Sequence, residues 1–215
     1  MKIQSRQLAD EFFARRDDLN FMREQINTAV QVLTQAFKNG NKLLLCGNGG
    51  SCADCEHIAG ELLKGFLLKR PVCPELADAM EHNYGETGKQ IASKLQQGLP
   101  AISLGTHSGA ISAFANDVDA ELVYAQQVLA YGCKGDLLLG ISTSGNANNV
   151  AAAVMTAKTL GMYTIGLTGK DGGKLAELSD LALTMPQMET YRIQEDHLAV
   201  YHLLCAMIEH ELFDC

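Results

Sequence analysis

Apolar residues recur along the chain at two periods, and the change from one to the other marks its elements. Over residues 20–38, Phe21, Ile26, Ala29, Val30, Val32, Leu33 and Phe37 fall mostly three or four apart, which predicts a helix stopped by Asn39-Gly40. Residues 5–18 read as a helix ahead of it. The pattern then turns to short apolar runs at 42–47, 101–105, 136–141, 163–167 and 181–185. Runs of that length suit the strands of a buried parallel sheet. Helical stretches at 51–66, 109–131, 147–160, 172–178 and 190–213 lie between or after them. Such alternation needs right-handed crossovers and predicts an α/β fold whose parallel sheet is covered on both faces.

No linker or repeat divides the chain, so residues 1–215 read as a single domain with a helical arm over 1–40. Residues 69–100 stand out: they hold three of the four prolines and charged helical turns, and read as an insertion or lid between the first two strands. No apolar run approaches the roughly 18–20 residues that span a bilayer. The N-terminal residues lead into an acidic helix-like stretch rather than a signal-peptide core, so a cytoplasmic location is expected. A net charge of −8 without a dense Lys/Arg stripe argues against nucleic acid as a partner. Any bound anion must then be held locally, by backbone N–H groups and hydroxyls. The seven cysteines, an odd number with several inside apolar runs, suit reduced thiols. Cys52-x-x-Cys55 falls at a predicted helix start, where a thiolate is stabilised; small packing residues in a helix are the plainer reading.

Ligands of open α/β sheets bind beyond the carboxyl ends of the strands. Three polar, glycine-bearing loops follow strands here: Gly47-Asn48-Gly49-Gly50-Ser51, Ser142-Thr143-Ser144-Gly145-Asn146, and Thr168-Gly169-Lys170-Asp171-Gly172-Gly173. Three successive hydroxyls and a glycine before a helix suit a phosphate, held without lysine; a serine N-cap alone accounts for one hydroxyl. The first loop meets neither nucleotide-binding fingerprint. His57 and Glu61, four apart, share one face of the helix behind it, and could share a metal, form an acid/base pair or hydrogen-bond at the surface. In the last helix, a wheel on Ile193, Val200, Leu204 and Ile208 puts His197 inside the apolar stripe as an interior hydrogen-bonded histidine. His202 falls outside that stripe and faces another element or another subunit, about 12 Å along the axis from Gln194.

The ordered set CGNGGS…H-x-x-x-E, FAND, GDLLLGISTSGN, GLTGKDGG and RIQEDH…H resembles the phosphoheptose isomerases, which are sugar-isomerase (SIS) domain proteins. The match spans about residues 20–212 apart from 69–100. It implies a three-layer fold with a five-stranded parallel sheet flanked by helices, and N-terminal helices that serve oligomerisation. It further implies a homotetramer with active sites between subunits, and conversion of sedoheptulose 7-phosphate to D-glycero-D-manno-heptose 7-phosphate. By motif position, Asn48, Gly49, Gly50 and Ser51 would line the sugar site, with Asp117 and Gln194 also touching substrate. Ser142, Thr143, Ser144 and Asn146 would hold the phosphate, and Glu61 and His202 would be the acid/base pair. Some family members carry zinc at the positions of His57, Glu61, Gln194 and His202, which implies one zinc per subunit. Ala147 stands where the family has a hydroxyl, and an aspartate usual before RIQE is replaced around Tyr191. Two further functions fit the motifs: isomerisation of another sugar phosphate, or a non-catalytic scaffold binding a protein such as a replication initiator. Scaffold members lack the acid and histidine kept here as Glu61 and His202.

Overall fold

A computed structural model describes residues 1–213; Cys215, counted among the thiols above, lies outside the described residues. Five parallel strands form one sheet in the order β2-β1-β3-β4-β5, with β1 Leu43–Gly47, β2 Ala101–Ser103, β3 Leu137–Ser142, β4 Tyr163–Gly169 and β5 Leu181–Met185. The helices are α1 Ile3–Arg15, α2 Arg23–Lys38, α3 Gly50–Leu63, α4 Pro74–Ala92, α5 Ser108–Phe114, α6 Val123–Tyr131, α7 Asn148–Thr159, α8 Gly173–Leu178 and α9 Thr190–Leu212. Alternate residues of each strand point to opposite faces, and the sheet divides the core accordingly. Leu43, Leu45, Leu139, Ile141, Ile165 and Leu167 pack with α1, α2, α3 and α9. Leu44, Cys46 and Leu138 pack with α6, α7 and α8 on the other side. The expected five-stranded α/β architecture is therefore the observed one. Among the described residues no helix is long and apolar enough to cross a membrane.

Three expected elements differ in detail. The helix expected over 109–131 is broken into α5, a π-helical turn Ala115–Asp119, a 3-10 turn Ala120–Leu122 and α6. Asp119 accepts from the Glu121 amide at 2.8 Å as a new N-cap, which starts the chain on a fresh turn. The strand expected to run to 105 stops at Ser103 in a 3-10 turn, Leu104–Thr106. The first two helices are joined by a 3-10 turn, Asp17–Met22, where Arg16 bridges Asp18 and Asp196 at 2.7 and 2.6 Å.

The 69–100 segment is pinned at its base. Gln97 N donates to Arg70 O at 2.7 Å and Leu99 N to Leu62 O at 2.9 Å, while most residues between are exposed. Within it α4 breaks at Gly85, which has φ +59°. At the root of the segment, Glu209 of α9 is fully buried and accepts from the amides of Phe66 (2.8 Å), Leu67 (2.7 Å) and Leu68 (3.0 Å). Arg70, equally buried, donates to Glu209 at 2.7 Å and to the carbonyls of Leu62 (2.8 Å) and Glu61 (3.4 Å). Amides spent on Glu209 cannot continue α3, so the helix expected to reach 66 ends at Leu63.

Burial raises the Glu209 pKa, but the Phe66 and Leu67 amides and the Arg70 guanidinium outweigh it and hold it below its ordinary value. A depressed carboxylate stabilises the fold above its unfolded pKa, and that stabilisation is lost as pH falls through the folded value. Glu209→Gln leaves Arg70 buried without its counter-charge and is expected to cost about 3–5 kcal/mol at neutral pH. Urea titrations check this: the gap to wild type should narrow as pH drops below the ordinary glutamate value of 4.5.

Candidate active site

α3 and α9 lie side by side, and three polar side chains meet on their seam. His57 and Glu61, one turn apart on α3, approach at 3.3 Å between Nε2 and Oε1. From α9, Nε2 of His202 stands 3.4 Å from the same His57 nitrogen, and its ring packs on Phe66 with centroids 5.7 Å apart. His202 thus faces a neighbouring element of its own chain. Burial first, and His57 second, hold its pKa below the ordinary value, so it is neutral at pH 7.

One donor atom from each of His57, Glu61 and His202 lies within 4.8 Å of the others, a group able to hold a metal ion. Donors on a tetrahedral zinc at about 2.0–2.2 Å are separated by roughly 3.3–3.5 Å. The 3.3 and 3.4 Å separations match that spacing. Glu61 Oε2 is buried without a hydrogen-bond partner among the described residues, as suits a carboxylate that serves something other than the protein. His197, by contrast, is structural, as its place in the stripe implied. It is fully buried, its Nε2 lies 3.1 Å from Thr168 O, and burial lowers its pKa to about 4, so it donates as a neutral imidazole.

The remaining expected residues lie at the carboxyl ends of the strands. Asn48 is exposed, and its carboxamide pairs reciprocally with that of Asn149 at 2.9 and 3.0 Å. The Tyr124 hydroxyl donates to Gly47 O at 2.5 Å and approaches Asn48 Oδ1 at 3.3 Å, so this turn is tied to both α6 and α7. Gly49 and Gly50 are exposed, and Ser51 is buried in the first turn of α3. A Cβ on Gly50 would run into the carboxamide of Gln194, so a bare backbone lets α9 lie against the head of α3. Gln194 thus sits about 10 Å along the α3 axis from His57.

In the second loop Ser142 is buried at the end of β3, Thr143 and Ser144 are half-exposed, and Asn146 is exposed. The loop is shaped by its glycine and by α8. Gly145 has φ +69° and its carbonyl accepts from Leu175 N at 2.9 Å; a Cβ there would strike the carbonyl of Gly172. Asn146 Nδ2 donates to Ser144 O at 2.9 Å and its Oδ1 accepts from Lys174 N at 3.3 Å. The N-cap of α7 is Ala147, which makes no side-chain hydrogen bond, so the hydroxyls are not there to cap the helix. Asp117 lies apart, exposed on the π-helical turn, with Asn116 donating to its carboxylate at 2.8 Å. Cys52 and Cys55 have pKa values raised above the ordinary thiol, chiefly by burial, which makes them packing residues and not thiolates.

Sequence reasoning missed Asn149, Tyr124, Asp54 and Tyr201. Tyr201 is 1% exposed, with its hydroxyl 2.9 Å from His57 Nδ1 and 3.3 Å from Asp54 Oδ1. Its signal was available: a phenol one helical turn from Ile208's stripe-mate Leu204 is buried, and a buried phenol needs a partner. Asn149 and Tyr124 carried no signal, because the first turn and the α6–α7 pair are brought together by the fold alone.

The SIS domain family model matches residues 14–96 and 77–169. A phosphoheptose isomerase of Aliarcobacter butzleri (strain RM4018) is 42% identical over 191 residues, 89% of this chain and 87% of that protein. One of Helicobacter pylori (strain P12) is 41% identical over 203 residues, covering 93% and 92%. Among solved structures, phosphoheptose isomerase from Neisseria gonorrhoeae superposes with a TM-score of 0.71 at 33% identity, covering 97% of this chain and 92% of that one.

Gly145→Ala meets both a left-handed backbone and an immovable carbonyl, and is expected to cost at least about 1–2 kcal/mol. Gly50→Ala displaces only the flexible end of Gln194 and is expected to melt close to wild type. Urea titrations of the two variants side by side check the contrast.

Proposed function

The chain belongs to the phosphoheptose isomerases of the SIS domain family, and on that premise we propose that it interconverts sedoheptulose 7-phosphate and D-glycero-D-manno-heptose 7-phosphate. The observation that carries this reading is the convergence of Glu61 and His202 beside His57. Moving a carbonyl between neighbouring carbons requires a base to take a proton from C1 of the ketose and return one to C2. It also requires a group that exchanges protons with the two oxygens of the enediol. Glu61 is the carbon base: Oε1 faces His57, and Oε2 makes no hydrogen bond among the described residues, so no protein donor ties up the carboxylate. His202, kept neutral by burial and by His57, serves the oxygens, since it can accept and donate near pH 7.

His57, Glu61 and His202 would hold zinc, which when bound supplies Lewis-acid polarisation of the substrate carbonyl. Gln194 of the same subunit lies at the head of α3, about 10 Å away, so a Gln194 donor would come from another copy of the chain. Ser142, Thr143, Ser144 and Asn146, with the amides ahead of Val150 at the start of α7, hold the phosphate. Asn48, Gly49, Gly50 and Ser51 line the path of the sugar, and Asp117, which lies apart from them in its own subunit, would join them from a neighbouring one. Held far from the reacting carbons, the phosphate fixes the chain and so converts binding into orientation.

Glu61 lies about 16 Å along α3 from Gly50, so the turn and the acid/base pair sit at opposite ends of that helix. A homotetramer in which the loop of one subunit faces the Glu61–His202 pair of another closes that distance. Exposed apolar side chains support such an assembly: Val118 and Leu122 before α6, and Leu76, Tyr84 and Ile91 on α4. Within this reading the chain is one SIS domain whose 69–100 segment borders a subunit contact.

Glu61→Gln is expected to lower turnover of sedoheptulose 7-phosphate about 10²–10⁴-fold while leaving a folded assembly. Undiminished conversion would remove Glu61 from its role. A panel of ketose phosphates run with wild type should place sedoheptulose 7-phosphate first. Chelation is expected to abolish the activity and added zinc to restore it; full activity in chelator would take the metal out of the reaction.

A further inference from the structure

We propose that Tyr201 and Asp54 are positioning residues that hold His57 in the tautomer with its proton on Nδ1, so that Nε2 presents a lone pair to the point shared with Glu61 and His202. The inference rests on reading that group as the metal-binding acid/base centre.

A phenol has one proton. The Tyr201 hydroxyl lies 2.9 Å from His57 Nδ1 and donates to Asp54 Oδ1 at 3.3 Å. Asp54 Oδ2 is buried with no partner among the described residues, so the phenolic proton is what its carboxylate has to receive. With that proton directed at Asp54, the tyrosine oxygen can only accept from His57. The imidazole proton is therefore on Nδ1. Nε2 then faces Glu61 Oε1 at 3.3 Å and His202 Nε2 at 3.4 Å as a bare lone pair. Presented in this way, Nε2 leaves the point between the three side chains open to a cation. The reverse arrangement, with tyrosine donating to Nδ1, would put a proton on Nε2 and close His57 to a metal ion.

Tyr201 is well placed for this task. It is 1% exposed on α9, one residue before His202, and its ring meets the His57 ring edge-on at 5.4 Å and 73°. One stretch of α9 thus contributes both a member of the group and the device that orients another member. Asp54 stands one turn before His57 on α3, so the chain Asp54–Tyr201–His57 crosses the α3–α9 seam and returns. Histidine ligands hold their orientation through the hydrogen bond made by the second ring nitrogen, and loss of such partners lowers metal affinity about 10–100-fold.

The test reads the tautomer directly, in metal-free protein labelled with ¹⁵N-histidine, from long-range ¹H–¹⁵N correlation spectra assigned with a His57→Gln variant. Wild type is expected to show His57 protonated at Nδ1. Tyr201→Phe removes the acceptor, and Asp54→Ala frees the hydroxyl to donate to Nδ1; both should move the proton towards Nε2. Asp54→Asn keeps an acceptor oxygen and should retain the wild-type pattern. Asp54 is only half-buried, so its variants give the answer even where Tyr201→Phe fails to fold. Calorimetric titration with zinc ion should weaken about 10–100-fold in Tyr201→Phe and Asp54→Ala, and stay near wild type in Asp54→Asn. An unchanged His57 pattern in Asp54→Ala, or a changed pattern with unchanged zinc affinity, overturns the proposal. Wild type that takes up no zinc contradicts the metal reading alone, and the tautomer then decides the positioning role.

Discussion

A fully buried carboxylate, Glu209, holds this structure's chemistry in register. Its charge is tolerable only because three consecutive amides and the Arg70 guanidinium converge on it. Arg70 in turn grips the last carbonyls of α3, including that of Glu61. The same contact that satisfies a buried anion therefore fixes where α3 ends relative to α9. Glu209 lies two helical turns beyond His202, about 10 Å along α9, so the clamp and the polar group share one seam. Phe66, whose amide is held by Glu209, packs its ring on His202.

The other end of α3 is governed by space instead of charge. Gly50 leaves room for the Gln194 carboxamide, and the Tyr124–Asn48–Asn149 contacts tie the turn before α3 to α6 and α7. α3 is thus fixed at its head by the side-chain contacts of the preceding turn with Tyr124 and Asn149, and at its tail by a buried ion pair. Between those ends, His57 is oriented from its rear by Tyr201. A short, rigid helix held at both ends is a sound carrier for groups that must meet a substrate within a fraction of an ångström.

The fold was legible because its signals are local. Five short apolar runs, the first four ending in or followed by glycine or hydroxyl residues, read as parallel strands, and the sheet has all five. The pairing of His57 with Glu61 was equally local, since i and i+4 residues share a helical face. What stayed hidden depends on tertiary approach. No spacing in the sequence announces that Arg70 meets Glu209, 139 positions later, or that Asn48 meets Asn149. The break at Asn116–Asp119 was missed because the apolar period runs through it, while short polar side chains redirect the backbone. His202 fell outside the apolar stripe for a good reason: the stripe marks contact with the sheet, and His202 faces α3.

On the reading above, the α3–α9 seam makes one cation-sized point out of His57, Glu61 and His202. Diffraction from crystals of the assembled protein grown with zinc, recorded on both sides of the zinc absorption edge, tests it most directly. A single anomalous peak per subunit within bonding distance of all three side chains is expected. A peak elsewhere, with the seam left empty, would contradict it.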